Sequence, residues 1–176
     1  MTRLILLRHA KSSSSDPSLP DHDRPLNQRG RDAARQMANA LIQREYVPDA
    51  IICSTALRAR QTLAPLLELL NGSVHLTLSR TLYEARSEHY PGFIMAAGAR
   101  TDQSDTTPGT LMLIGHNYAI QDVALSLAAN SDTPHYKNLK SKFPTGAATV
   151  LDLDNGLANC TPGSATLSAF LRPRDL

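Results

Sequence analysis

Short apolar runs along the chain predict the strands of a buried β-sheet. The first run, at residues 3–8, has four consecutive apolar side chains, which is typical of a strand covered on both faces. Comparable runs predict strands at 49–53, 75–78, 110–114, 147–153 and 165–171. A turn at Asp154-Asn155-Gly156 is expected to join the last two strands.

Segments with helical periodicity lie between these runs. Asn27 is a suitable N-cap for the first helix, and either Ser54 or Thr55 is suitable for the second. The second helix has leucines at i, i+3, i+4 and i+7, and it ends where Gly72 follows an asparagine. Pro65 lies inside it and predicts a kink or two shorter helices, because proline lacks a backbone donor. Two more helices are expected, at 88–99 and directly after residue 117.

The alternation of strands with helices predicts an α/β fold. We expect a three-layer sandwich, in which a mostly parallel central sheet is flanked by helices. The chain has 176 residues, a length typical of one domain, so a single domain over 1–176 is predicted.

Composition and charge exclude several classes of protein. The formal net charge of +2 is too small for a concentrated nucleic-acid-binding face. No apolar run has the ~18 residues of a membrane span, and the short N-terminal run does not resemble a secretory signal, so we expect a cytoplasmic protein. Cys53 and Cys160 lack a CxxC spacing, which argues against a zinc site or a disulfide framework.

Ionisable side chains follow the ends of the predicted strands. Arg8 and His9 follow the first strand, Arg58 lies shortly after the second, Glu84 follows the third and His116 follows the strand at 110–114. In open parallel sheets, ligands bind at the carboxyl ends of the strands. The sequence therefore predicts that two arginines, two histidines and a carboxylate converge at one edge of the sheet.

Such a cluster is suited to a phosphoryl dianion. Arginine presents a planar, permanently charged fork to phosphate oxygens, and neutral imidazole is nucleophilic near pH 7. A nearby carboxylic acid is able to protonate a leaving atom. Each residue taken alone also fits a structural role, such as a solvated strand end or a surface charge. The loop at 11–29 is unusually long, and long ordered loops are often functional.

Five short motifs resemble the histidine phosphatase superfamily, the group that includes the cofactor-dependent phosphoglycerate mutases. Within it, the chain resembles the small phosphohistidine phosphatases of the SixA type. The motifs occur in the family's order and include the RHG-type motif; they are LRHAKS at 7–12, DRPLNQRG at 23–30, STALRARQT at 54–62, LYEA at 82–85 and IGHN at 114–117. The resemblance implies a phosphoglycerate mutase-like fold.

The resemblance also implies roles for individual residues. His9 would be the nucleophile that is transiently phosphorylated, and Arg8 and Arg58 would hold the phosphoryl oxygens. His116 would stabilise charge in the transition state. Glu84, at the family's usual position for the proton donor, would protonate the leaving group. The resemblance implies no metal and no cofactor.

Further positions in these motifs, and the serines that follow the first motif, bear on the same site. Arg24 and the hydroxyl groups of 12–15, Ser15 among them, are expected to contact phosphate or substrate. Ala10 stands where the superfamily commonly has glycine, which requires that this position be accessible to an ordinary residue. Alanine also occurs there in the SixA-like branch, as the resemblance implies.

Three functions fit these residues. The first is hydrolysis of phosphohistidine on a protein, such as a histidine phosphotransfer domain, because the short chain leaves little room for a cap over the pocket. The second is hydrolysis of a small phosphomonoester, if the segments at 11–29 and 87–108 fold over the site. The third is a pseudoenzyme that binds phosphorylated partners. Mutase activity is disfavoured because no further basic cluster is present to hold a second phosphate.

Overall fold

The computed structural model describes residues 2–99 and 109–176, so part of the segment at 87–108 lies outside the described residues. Helices and strands alternate through most of the chain. Their bounds are β1 Thr2–Arg8, α1 Gln28–Gln43, β2 Ala50–Ser54, α2 Leu57–Leu69, β3 His75–Ser79, α3 Arg80–Glu84, α4 Tyr90–Gly98, β4 Thr110–Gly115, α5 Ala119–Leu127, α6 Pro134–Ser141, β5 Ala148–Leu153 and β6 Ala165–Leu171. Within the described ranges, no helix is both long enough and apolar enough to cross a membrane.

The strands form one mixed sheet in the order β3-β2-β4-β1-β5-β6. Strands β1, β2, β3 and β4 run parallel to one another, whereas β5 is antiparallel to β1 and β6 is antiparallel to β5. The expected α/β fold with a mostly parallel sheet is therefore confirmed. The carboxyl ends of the four parallel strands meet at one edge.

The sheet is covered on both faces, as the apolar run in β1 predicts. Leu4 and Leu6 belong to a core cluster with residues of α4, α5 and α6. Ile5 and Leu7 belong to a second cluster with residues of α1 and α2. Because successive side chains of a strand point to opposite faces, these four consecutive apolar residues hold together the three layers.

Helix α2 differs from its prediction at two points. Its N-cap is Ala56, and no side chain caps it, so the expected capping by Ser54 or Thr55 is wrong. The Ser54 hydroxyl instead accepts from the backbone N–H of Ala56 at 3.2 Å and contacts His116. Pro65 is accommodated within one continuous helix, so two shorter helices are also excluded. Burial of apolar side chains on both sides of Pro65 outweighs the loss of one backbone donor.

Two short helices escape prediction, and one connection is longer than expected. Helices α3 and α6 have five and eight residues, too few for a clear apolar period. The turn beginning at Asp154 continues through a 3-10 turn at Leu157–Asn159 before β6 begins. The predicted pairing of the last two strands is correct, but a simple three-residue turn between them is wrong.

The loop between β1 and α1 is held against the fold at both ends. An isolated bridge joins Ser12 to Leu26, and the Asn27 side chain caps α1 by accepting from the Gly30 N–H at 2.8 Å. A Cβ atom at Gly30 would lie 2.1 Å from the carbonyl oxygen of Lys11. Only glycine permits this close approach, which explains the glycine of the DRPLNQRG motif.

Both cysteines are free and buried, as expected for unreactive thiols. Burial raises the pKa of Cys53 to about 12 and that of Cys160 to about 11. Both side chains therefore remain protonated at neutral pH and serve as small apolar groups.

Candidate active site

The carboxyl edge of the parallel strands brings together two histidines and Arg58. His9 follows β1, His116 follows β4 and Arg58 lies in the first turn of α2, which follows β2. The two imidazole rings lie 5.0 Å apart between centroids. The Arg58 Nε atom lies 3.3 Å from His9 Nε2, and its Nη2 atom lies 3.3 Å from His116 Nδ1. With Arg8, which precedes His9, these residues are called the pocket floor below.

The backbone carbonyl of the next residue, Ala10, orients the His9 ring. Its Nδ1 atom donates to the carbonyl oxygen of Ala10 at 2.8 Å, so the lone pair is on Nε2, the atom that faces Arg58. Burial lowers the pKa of His9 to about 3; the Ala10 carbonyl opposes this shift, and repulsion from His116 when that ring is protonated, and from Arg58 and Arg8, adds to it. The imidazole is therefore neutral at physiological pH, with a free nitrogen in a cationic pocket. This is the state that a nucleophile requires.

Ala10 adopts an ordinary backbone conformation, since Glu45 is the only non-glycine residue with positive φ in the described ranges. Its N–H donates to the Thr62 hydroxyl at 2.9 Å, and that hydroxyl donates to the Arg58 carbonyl at 2.7 Å. Alanine is thus tolerated at this position, as the sequence analysis requires. Thr62 links the turn that bears His9 to the helix that bears Arg58.

His116 is also neutral and held from two sides. Arg58 Nη2 donates toward its Nδ1 atom, which leaves the proton on Nε2 to be donated to the Ser54 hydroxyl at 2.8 Å. Burial lowers the pKa of His116 to about 4, and the charge of Arg58 adds to the shift, while Asp21 opposes it. Both histidines thus turn an unprotonated nitrogen toward the same guanidinium group.

The two arginines of the floor are buried to different degrees and bound differently. Arg58 is only 7% exposed. Arg8 donates from Nη1 to the Phe143 carbonyl at 2.6 Å, while its buried Nε atom has no hydrogen-bond partner within the described part of the chain. Burial lowers the pKa of Arg8 from its ordinary value. An anion bound beside His9 would give this guanidinium a partner for its charge.

Asp21, which the sequence analysis did not identify, lies against the floor. It belongs to a 3-10 turn at Asp21–Asp23, inside the long loop. Arg58 donates to its backbone carbonyl and, at 2.8 Å, to its Oδ2 atom. Tyr83 donates to the same Oδ2 at 3.1 Å, and Arg24 donates to Oδ1 at 3.3 Å. Partial burial raises the pKa of Asp21, but Arg58, Tyr83 and Arg24 together outweigh this and hold it below its ordinary value.

His22 is a second residue near the site that the sequence left unassigned. Its Nε2 atom lies 3.0 Å from the Thr55 hydroxyl, and its Nδ1 atom lies 2.8 Å from the Asp23 carboxylate. Its ring packs edge-on against Tyr83, which in turn packs edge-on against His116. Asp21, His22, Arg24 and Tyr83 are called the rim below. Of the rim residues in the loop, Arg24 is indicated by the DRPLNQRG motif, whereas the only sequence signal for Asp21 and His22 is the length of the loop itself.

Three of the residues proposed from sequence do not contact the floor directly. Glu84 lies at the end of α3, beyond the end of β3, and its side chain is 61% exposed and paired with Arg80 Nε at 2.9 Å. Ser15 is exposed, with its hydroxyl 2.7 Å from that of Ser13. Arg24 donates to the Ser13 carbonyl at 2.9 Å and reaches the floor only through Asp21. The roles proposed for these residues remain predictions.

A metal site was not found among the described residues. Within residues 2–99 and 109–176, no group of three or more His, Cys, Asp or Glu side chains is arranged to hold a metal ion. The permanently charged groups that act on His9 are the guanidinium groups of Arg58 and Arg8.

Comparison with known proteins identifies the family. The model of the histidine phosphatase superfamily (branch 1) matches residues 4–107. An uncharacterised protein of Mycobacterium tuberculosis is 35% identical over 170 residues, which covers 96% of this chain and 100% of that protein.

Solved structures agree with the family match. The proposed phosphohistidine phosphatase SixA from Agrobacterium tumefaciens superposes with a TM-score of 0.79 at 34% identity, covering 98% of each chain. The protein histidine phosphatase SixA in complex with tungstate shares the fold, with a TM-score of 0.75 at 20% identity over 99% of each chain. The chain therefore belongs to branch 1 of the histidine phosphatase superfamily and falls with its SixA-type members.

Proposed function

We propose that this protein hydrolyses phosphohistidine on a protein substrate through a covalent phosphohistidine intermediate at His9. Family and fold support phosphatase activity in general. The observation that carries the finer proposal is the state of His9, which is neutral, held at Nδ1 by the Ala10 carbonyl and unprotonated at Nε2, where it accepts from Arg58 Nε at 3.3 Å. A phosphohistidine substrate is favoured by the similarity to a protein that is described as a phosphohistidine phosphatase and has the same fold.

In the first step, His9 Nε2 attacks phosphorus, and the bond between phosphorus and the leaving group of the substrate breaks. The phosphoryl group enters between Nε2 and the Arg58 guanidinium, which therefore moves back from its present 3.3 Å contact with His9. Arg8 and Arg58 neutralise the equatorial oxygens, where most of the charge of a phosphoryl transition state lies. His116 donates a hydrogen bond to an oxygen of the same group, which requires a proton on its Nδ1 atom, because phosphoryl oxygens only accept.

In the second step, water attacks phosphorus and the bond to His9 Nε2 breaks. Orthophosphate leaves, and His9 returns to its neutral form. The arginines supply the positive charge that metal ions supply in many phosphotransferases, so we propose that no metal takes part.

Glu84 is the proposed donor of the proton that the leaving group takes up, which requires its carboxyl group to be protonated when it donates. Its carboxylate now pairs with Arg80 at the surface. Exposed ion pairs contribute only about 0–1 kcal/mol, so the side chain is free to leave Arg80 when a substrate is bound. The same residue would then accept a proton from the attacking water.

A small phosphomonoester is the second candidate substrate. Its support is the coverage of the floor: His9 is only 8% exposed, and the turn at Asp21–Asp23 lies over Arg58. A phosphohistidine side chain must either reach down this opening or displace the turn. A binding protein without catalysis is disfavoured because His9, Arg8, Arg58 and His116 are all present and assembled.

A substrate panel tests the proposal. Initial rates would be compared for a phosphohistidine-bearing phosphotransfer protein, an aryl phosphate and several aliphatic phosphomonoesters. The proposal expects the highest kcat/KM for phosphohistidine and none of these activities in His9→Ala. A preference for one aliphatic ester would favour the second candidate, and binding without turnover of any substrate would favour the pseudoenzyme.

A further inference from the structure

Asp21 places a fixed negative charge at the opening of the pocket. Its carboxylate is 56% exposed, so it faces solvent on one side and Arg58 on the other. Hydrogen bonds from Arg58, Tyr83 and Arg24 hold both carboxylate oxygens in place. The residue is therefore positioned to act on the part of a substrate that projects outward from the phosphoryl group.

Among the described residues whose side chains contact Asp21, no cation is left free for a second anionic group of a substrate. A phosphoryl group bound at His9 would take up Arg8 and Arg58. Arg24, the remaining cation that the described structure places on this turn, is already paired with Asp21. The next acidic residue, Asp23, pairs with His22, and α3 contributes the Arg80–Glu84 pair. Once the phosphoryl group is bound, the carboxylates of Asp21, Asp23 and Glu84 outnumber the remaining arginines, Arg24 and Arg80, so the opening is acidic while His22 is neutral.

We propose that Asp21 is a specificity-determining residue, which disfavours substrates with a carboxylate or second phosphate near the phosphoryl group and favours neutral or cationic leaving groups such as imidazole. The physical reason is electrostatic. Like charges at close range in a partly desolvated site repel strongly, whereas a neutral imidazole is not repelled by the carboxylate and a protonated one is attracted to it. This inference rests on the proposed function, since it assumes that the phosphoryl group binds at His9.

Equilibrium binding of two phosphonates tests the inference without requiring turnover. Phenylphosphonate has a neutral ring beside the phosphoryl-like group, whereas 3-phosphonopropionate has a carboxylate. Asp21→Asn keeps the size of the side chain and one oxygen for Arg58 but removes the charge. We expect the ratio of Kd for 3-phosphonopropionate to Kd for phenylphosphonate to fall about tenfold in this variant.

Asp23→Asn is the matched control, because Asp23 lies on the same turn and its carboxylate pairs with His22. Its Kd ratio should stay within about twofold of the wild-type ratio. An equal change of both Kd values in Asp21→Asn would overturn the inference, because Asp21 would then act only on Arg58. An equal fall of the ratio in both variants would also overturn it, since the whole turn would then be responsible.

Failure of the proposed function is distinguishable from failure of this inference. If the wild-type protein does not hydrolyse phosphohistidine but Asp21→Asn still changes the Kd ratio, the substrate assignment fails and the charge selection stands. If phosphohistidine is hydrolysed but the Kd ratio is unchanged in Asp21→Asn, the substrate assignment stands and the charge selection fails. Loss of the effect at 1 M salt would further support an electrostatic origin, because the Debye length is then about 3 Å.

Discussion

The floor and the rim of the site are built in different ways. His9 and His116 directly follow parallel strands, and together with Arg58 they are largely buried and share direct contacts. Asp21 and Tyr83 come from a loop and a short helix, and their contacts depend on partly exposed side chains. The sheet thus fixes the position of the groups that are proposed to transfer the phosphoryl group. The rim is less constrained, and it is proposed to select the substrate.

Replacing His9 should have the largest effect on the floor. His9→Ala removes the proposed nucleophile, and we expect kcat for an aryl phosphate to fall by at least about 10³-fold. Quenching with alkaline detergent during turnover of labelled substrate should trap an acid-labile, alkali-stable phosphoprotein with the wild type and none with the variant. The control is His75→Ala, on the exposed edge strand β3. Full activity of His9→Ala would contradict the mechanism.

Replacing Arg58 should weaken binding of the phosphoryl group. Charge-assisted hydrogen bonds contribute about 1.5–3 kcal/mol, so Arg58→Ala should raise the Kd for vanadate by roughly 10- to 150-fold. Arg60→Ala is the control: Arg60 is exposed in the same helical turn and donates to the Thr55 carbonyl. An unchanged vanadate affinity in Arg58→Ala would remove this residue from the phosphate site.

Replacing Glu84 tests a residue that belongs to neither the floor nor the rim, since its side chain is exposed in the structure. As a general acid it should matter only when the leaving group needs a proton. Glu84→Gln should lower kcat/KM about tenfold or more for an alkyl phosphate and change it less than about twofold for p-nitrophenyl phosphate. Glu88→Gln serves as the control. Equal effects on both esters would exclude the proposed role.

Lowering the pH should destabilise the folded protein through the two histidines of the floor. The folded-state pKa values of His9 and His116, about 3 and about 4, lie below the unfolded value of 6.5, so the unfolded chain binds more protons between these values. The free energy of unfolding should therefore fall as the pH is lowered from 6.5 toward 4, by about 1–2 kcal/mol for each histidine at pH 5. Urea unfolding of wild type and His9→Asn at pH 7 and pH 5 measures this. An identical pH dependence of the two proteins would contradict it.

The sequence predicts the floor better than the rim for a physical reason. An apolar run that ends in Arg8-His9 reveals both the strand and the edge of the sheet at which it ends, so convergence with His116 follows from topology alone. Asp21 comes near Arg58 only through a loop whose path depends on tertiary contacts, among them the close approach at Gly30. No local pattern encodes that path.

Glu84 illustrates the same limit within a recognised motif. The residue lies in LYEA, but the intervening helix α3 is too short to be detected from periodicity. The i,i+4 pairing with Arg80 that directs its carboxylate to the surface follows only from that helix. Position in a motif therefore predicted a role for Glu84 without predicting the direction of its side chain.

The burial of both native thiols offers a practical route to observe the rim in solution. Because Cys53 and Cys160 remain protonated and shielded, a maleimide dye should label an introduced surface cysteine with little background. Ser15→Cys would place that dye in the exposed part of the long loop, outside the contacts that hold Asp21. The fluorescence of a single label would then report how the loop responds to each ligand.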